Sequence, residues 1–175
     1  MTARRLRSGE ILAGAGAVAL FVLLFLDWFM LELQPRITET SGSIVGIELH
    51  LSGWTSLGWP MAVLLLAEIV LALWLAAATL FSSTVSQPVA AGVLVTAVGA
   101  LALVALVVRV TIAQPGLGIG APDELVAVQW PAYAGLAATA AILVGGWLSM
   151  ADERTDAPES AYTPPPARPA PPERR

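Results

Sequence analysis

The sequence predicts an all-α membrane protein: a four-transmembrane-helix bundle with a small extracytoplasmic β-hairpin in the first outer loop and a disordered Pro-rich C-terminal tail. Three observations carry this. Hydrophobic residues make up 57% of the 175-residue chain and charged residues 13%, with a mean hydropathy of +0.75, whereas soluble domains carry about 25% charged residues. Four apolar segments, at residues 10–31, 59–81, 89–113 and 132–150, are long enough to cross a bilayer, which takes ~20 residues of helix at 1.5 Å per residue. The arginines fall on one side of the resulting topology.

The first span follows Arg4, Arg5 and Arg7, as the apolar core of a signal peptide would. Its apolar run is longer than such a core and ends in LDWFMLELQP with no small-x-small cleavage site, so it reads as a retained anchor. Pro35, Gly58, Pro60, Pro88, Gly116 and Pro131 punctuate the junctions between spans. Residues 1–9 then form a cytoplasmic N-terminus, residues 32–58 and 114–131 the outer loops, and residues 151–175 the tail.

Four crossings put both termini on one side. That side holds seven of the nine arginines (Arg4, Arg5, Arg7, Arg154, Arg168, Arg174 and Arg175). The positive-inside rule makes it the cytoplasm, in the plasma membrane of a cell. Trp28, Trp54, Trp59 and Trp130 cluster at the opposite ends of spans 1, 2 and 4, as an interfacial aromatic belt requires. Trp147 marks the inner end of span 4, and Trp74 lies deeper.

In the first outer loop, SIVGIELHL alternates: Val45, Ile47, Leu49 and Leu51 on one side, Glu48, His50 and Ser52 on the other. Period two predicts a half-buried strand, with RITET as its hairpin partner and Ser41–Gly42–Ser43 as the turn. In the second outer loop, Pro122, Asp123 and Glu124 suit the first turn of a short interfacial helix. The tail has seven prolines in 25 residues and almost nothing to bury, which predicts disorder with a polyproline II bias. Its Pro169, Pro172 and Arg174 fit a PxxPxR ligand pattern for SH3-type grooves. In so Pro/Ala-rich a segment a solvated tail is the simpler expectation.

Asp27, Glu68 and Arg109 are the ionisable residues deepest in the spans. A charge at a helix centre costs about 2.5–3.5 kcal/mol on the gentlest scale, so such residues are usually paired or functional. Counting from helix midpoints puts Glu68 about 2 Å from the midplane, with Asp27 ~10 Å and Arg109 ~12 Å toward the outer surface. The matched depths of Asp27 and Arg109 predict an ion pair between them. Glu68 shares its helix face with Met61, Leu65, Ala72, Ala76 and Thr79, and Arg109 shares its own with Ala91, Val95, Val98, Ala102, Ala105 and Ala113. Faces this small favour close helix packing, and that of Glu68 is expected to point into the bundle. Glu68 has two readings: a neutral acid buried for packing, or a proton or cation site. The first is favoured because a transport path needs several polar residues and only one stands at that depth.

The chain has no cysteine, and His50 is its only histidine. Thiolate chemistry is excluded and neither a metal site nor a cofactor is expected. GLGIG at residues 116–120 lacks the preceding strand and the lysine or acidic partner of a nucleotide loop. No basic patch suits nucleic acid.

The segments RRLRSGEILAGAGAVALFVLLFLDWF, GWTSLGW, LVVRV and PAYAGLAATAAILVGGWLSMADE resemble a group of small four-helix membrane proteins from actinobacteria. The resemblance implies the same topology and carries no biochemical activity. That group would have Pro-Trp-Phe where this chain has Asp27-Trp28-Phe29. The expected function is therefore that of a structural or accessory membrane subunit, not an enzyme, which contacts lipid and engages a protein partner or further copies of itself. The alternative is an oligomeric transporter or ion- or proton-conducting subunit that uses Glu68.

Overall fold

The structure is a computed structural model that describes residues 8–33, 47–81, 86–114 and 126–152. In chain order the elements are α1 (Ser8–Leu23), β1 (Asp27–Leu33), β2 (Ile47–Ser52), the single turn α2 (Gly53–Ser56), α3 (Gly58–Phe81), α4 (Ser86–Thr111), β3 (Val126–Val128) and α5 (Trp130–Asp152). Among the described residues α3, α4 and α5 are long and apolar enough to cross a membrane, and α1 is a shorter apolar helix. Pro60, Pro88 and Pro131 all fall in first turns, where a missing N–H breaks no helical bond. Gly58 starts α3 with φ +75°, a left-handed conformation that glycine adopts without strain.

The four long helices form a square. α1 packs on α5, α5 on α4, α4 on α3, and α3 back on α1, while α3 and α5 barely meet across the diagonal. Small residues set the spacing. A Cβ added to Gly9 would lie 2.7 Å from the backbone N of Ser149, and one on Gly145 would lie 2.5 Å from the N of Ala13. So close an α1–α5 approach gains dispersion contact that larger side chains would prevent.

The largest departure from expectation is in span 1. A helix through Leu31 was expected, but α1 stops at Leu23, and after a three-residue turn Asp27–Leu33 is a strand. The segment DWFMLEL is as apolar as a helix end and as aromatic as a strand, so local pattern does not decide between them. Pairing decides. β1 is the centre of a three-stranded antiparallel sheet of order β2-β1-β3, running from Phe29↔Leu51 to Leu33↔Ile47 on one edge and from Phe29↔Val128 to Leu31↔Val126 on the other.

Two further expectations change with it. The Ile47–Ser52 strand pairs with β1, and RITET and Ser41–Ser43, expected as its hairpin partner and turn, lie outside the described residues. Val126–Val128, expected at the end of a short helix, is β3; Pro122, Asp123 and Glu124 lie outside the described residues.

Ending α1 inside an apolar bundle frees carbonyls that must find donors. Leu24, Phe25 and Leu26 donate their N–H groups to the carbonyls of Leu20, Val22 and Leu23 at 3.0–3.1 Å. The backbone N–H groups of Trp54 and Gly53 reach the carbonyls of Leu24 and Leu26 at 3.3 and 3.2 Å. Trp28 Nε1–H donates to the Leu23 carbonyl at 2.7 Å.

The register skips Trp28, jumping from Asp27↔Ser52 to Phe29↔Leu51. Neighbours in a regular strand point to opposite faces. This bulge lets Trp28 and Phe29 both bury fully. Trp28 was expected in an exposed belt; its ring instead fills the space that side chains at Gly53 and Gly135 would occupy. Trp59, Trp130 and Trp147 are well exposed on α3 and α5, while Trp54 packs edge-on against Phe25 with ring centroids 5.7 Å apart.

Replacing Trp28 by Ala should cost about 3–5 kcal/mol, the usual range for a buried aromatic. Trp28→Phe keeps most of the ring volume but loses the Nε1–H bond, and should cost about 0.5–1.5 kcal/mol for that bond beyond the lost contact area. Reversible unfolding in mixed micelles separates the two. Equal unfolding midpoints for Trp28→Ala and the wild type would show that the indole does not hold the end of α1.

Candidate functional site

Glu68 lies near the middle of α3 on the face that carries Leu65, Ala72 and Thr79, and all four are buried. The expectation that this face points inward holds. Oε1 lies against Gly99 of α4: a Cβ built there would be 3.4 Å from it and 3.4 Å from Leu143 of α5. Glycine at this position leaves the carboxyl its room. Both carboxyl oxygens are fully enclosed and have no hydrogen-bond partner in the protein. The buried core of the bundle, with Leu65, Leu75, Val95, Leu106 and Ile142 among its members, is apolar, and an unpaired charge there is costly.

Arg109 stands at the sheet end of α4, on a face that includes the buried Ala91, Val95 and Ala102. Its Nη2 donates to the Ser56 carbonyl at 3.1 Å and its Nη1 to the Ala113 carbonyl at 3.2 Å. The guanidinium thus satisfies two chain-end carbonyls, one closing α2 and one just beyond α4, where a cation also meets the negative end of the helix dipole. Its Nε is buried without a partner.

The expected Asp27–Arg109 ion pair does not form. Asp27 Oδ2 is 3.3 Å from His50 Nδ1, and both side chains are about half exposed, at 50% and 52%. The cause is the change from helix to strand at Leu23. On a helix Asp27 would have faced the bundle at its own depth. On bulged β1 it turns toward β2, where His50 stands two residues from its register partner Ser52. Asp27 and His50 line a shallow cleft of about 300 Å³ with Leu26, Gln129, Trp130 and Pro131.

The three sequence candidates therefore occupy separate places: Glu68 in the core, Arg109 as a carbonyl cap, Asp27 on the surface. The tail residues Pro169, Pro172 and Arg174 lie outside the described residues. Among the described residues no group of three His, Asp or Glu side chains could hold a metal ion.

Sequence reasoning missed two residues. His50 was considered only as an isolated metal ligand, although its place on the polar side of a strand could have suggested a cross-strand partner. Thr139 of α5 is fully buried, and its hydroxyl has no partner. The only signal for it was a hydroxyl in the middle of span 4, among alanines, since Tyr133 and Ser149 stand near the span's ends.

Searches of protein-family models and of curated proteins found no match to this chain.

Double-mutant cycles should separate the observed pairing from the expected one. Asp27→Ala and His50→Ala should couple by about 0.2–1 kcal/mol, the range for exposed pairs, and less at high salt. Asp27→Ala and Arg109→Leu should be additive within ~0.5 kcal/mol. Coupling confined to the second pair would contradict the geometry described.

Proposed function

We propose that this chain is a four-span integral protein of the cell membrane, with both termini cytoplasmic, that serves as a structural or accessory subunit engaging a protein partner. In this reading α1 with its turn and the start of β1 supplies the first crossing. A 16-residue helix reaches only ~24 Å at 1.5 Å per residue, and the extended chain beyond it covers the remaining depth of a ~30 Å hydrocarbon layer. The arginine distribution and the exposed Trp59 and Trp130 at the sheet end support this orientation. The resemblance to small actinobacterial four-helix proteins supports the same topology.

The observation that carries the functional part is the filling of the bundle to its axis. The carboxyl of Glu68 is fully enclosed and lies against Gly99, and the next hydroxyls along α3 and α4, those of Thr79 and Thr96, are bonded to their own helices. A protomer built this way has its chemistry at its surfaces: the apolar helix faces, the sheet and the tail. A second reading, an oligomeric proton- or ion-conducting subunit, rests on one observation, the unpartnered carboxyl of Glu68 in mid-helix.

The absence of cysteine makes orientation simple to test. Thr55→Cys should react with a membrane-impermeant maleimide in intact cells, and Ala151→Cys only after permeabilisation; the reverse pattern would invert the topology. Purification in mild detergent, with mass spectrometry of the complex, should recover a second protein at a defined ratio. Recovery of monomer alone would refute the subunit reading. Proton uptake into liposomes that Glu68→Gln abolishes would establish the second reading instead.

A further inference from the structure

The cleft that holds Asp27 and His50 has two walls, one from the start of β1 and one from the junction of β3 with α5. Their spacing is fixed by backbone bonds. Phe29 pairs with Val128, and the Gln129 N–H donates to the Trp28 carbonyl at 2.8 Å. Asp27, His50, Gln129 and Trp130 line this one space of about 300 Å³, with Leu26 and Pro131 as its apolar part. The Gln129 carbonyl accepts from the Ala132 N–H at 3.1 Å. Both backbone groups of Gln129 are therefore engaged, and its side-chain amide is what it can offer a ligand.

The chemistry of the lining selects among ligands. An anion would meet the Asp27 carboxylate, and among the described residues no lysine or arginine lines the cleft to offset it. A transition-metal ion takes three or four protein ligands, and the cleft has one carboxylate and one imidazole. A quaternary ammonium is recognised by a cage of aromatic rings, and here there is a single indole. A primary ammonium fits. It brings a positive charge and three N–H donors. Asp27 turns Oδ2 to His50 at 3.3 Å and is 50% exposed, so its second oxygen can accept one donor. The Gln129 amide oxygen can accept another, and the exposed indole of Trp130 gives the charge a π face.

We propose that this cleft binds a primary ammonium group, carried by an aminophospholipid headgroup. Its volume is at the lower end of the range for ligand sites, about 300–1,000 Å³, and suits a headgroup and not a whole lipid. The surface beside it suits the rest of the molecule: Leu26 is exposed at its rim, and Tyr133 is exposed on α5 about one turn beyond Trp130. An amphiphile anchored by its charge in the cleft meets apolar surface where its chains leave it. The lipid as carrier rests on the four-span reading, which sets the sheet end at a membrane interface. The ammonium chemistry rests on the cleft alone.

Native mass spectrometry of the full chain in detergent with defined lipids tests this. Phosphatidylethanolamine and phosphatidylcholine with the same chains differ only in methylation of the ammonium. The wild type should retain the first about threefold to tenfold more tightly, as expected for charge and π contacts at an exposed site. Asp27→Asn, of the same size, should abolish the preference, and Trp130→Leu should weaken retention of both lipids. The wild-type comparison needs no folded variant, so equal retention of the two lipids overturns the lipid carrier. Free ethanolamine, titrated while the Trp130 indole N–H is followed by NMR, tests the other source. A shift that Asp27→Asn removes, without any lipid preference, would keep the ammonium site and assign it to a soluble amine. Equal retention with no such shift overturns the proposal, and so does a lipid preference that survives Asp27→Asn. Cysteine labelling reads orientation separately, so loss of the headgroup preference leaves the four-span reading standing.

Discussion

The rest of this structure depends on one constraint: α1 ends at Leu23 inside an apolar bundle, and the carbonyls it frees must be bonded by protein. The donors come from three places distant in sequence: the turn at Leu24–Leu26, the N–H groups of Gly53 and Trp54, and the indole of Trp28. The sheet follows from this. Once the chain leaves the helix as an extended strand its own edges need partners, and β2 and β3 supply them on both sides. The bulge at Trp28 then turns the indole inward against Gly53 and Gly135, so the residue that caps the helix also fills the end of the bundle.

The same constraint explains the roles of the polar residues. Arg109 is spent on the carbonyls of Ser56 and Ala113, which end the short α2 and follow the end of α4. A salt bridge to Asp27 would have taken the arginine's donors away from those carbonyls. An exposed carboxylate is well served by water and a neighbouring imidazole, and such a pair adds little stability. Carbonyls at the ends of helices have no intrahelical donor. The arginine goes where its absence would cost more.

Much of this was legible in the sequence, and what was not has a physical reason. The long helices α3, α4 and α5 begin and end within a few residues of their expected bounds, because apolar runs punctuated by Pro60, Pro88 and Pro131 are local signals. The strand at Ile47–Ser52 showed in its period of two. The end of α1 was not legible, since DWFMLEL suits helix and strand equally and only pairing with residues some 20 and 100 positions away decides it. Asp27 was misassigned for the same reason: a helix advances a side chain by 100° per residue and a strand by 180°, so its partner could not be found before its element was known. The inward face of Glu68 could be read from its small neighbours, but its lack of any partner could not, because that depends on what three other helices place around it.

Glu68 is unusual because of what surrounds it. Its carboxyl lies against a glycine of α4, and a bundle selected for tight packing alone would have an apolar residue there, since replacing buried polar groups by well-packed apolar ones is often neutral or stabilising. The back-bonded Thr79 and Thr96 show how this chain silences a hydroxyl that it keeps for packing. Thr139 on α5 makes no such back-bond, and its hydroxyl is buried without a partner. A buried polar group without a partner costs stability, so packing alone explains neither Glu68 nor Thr139.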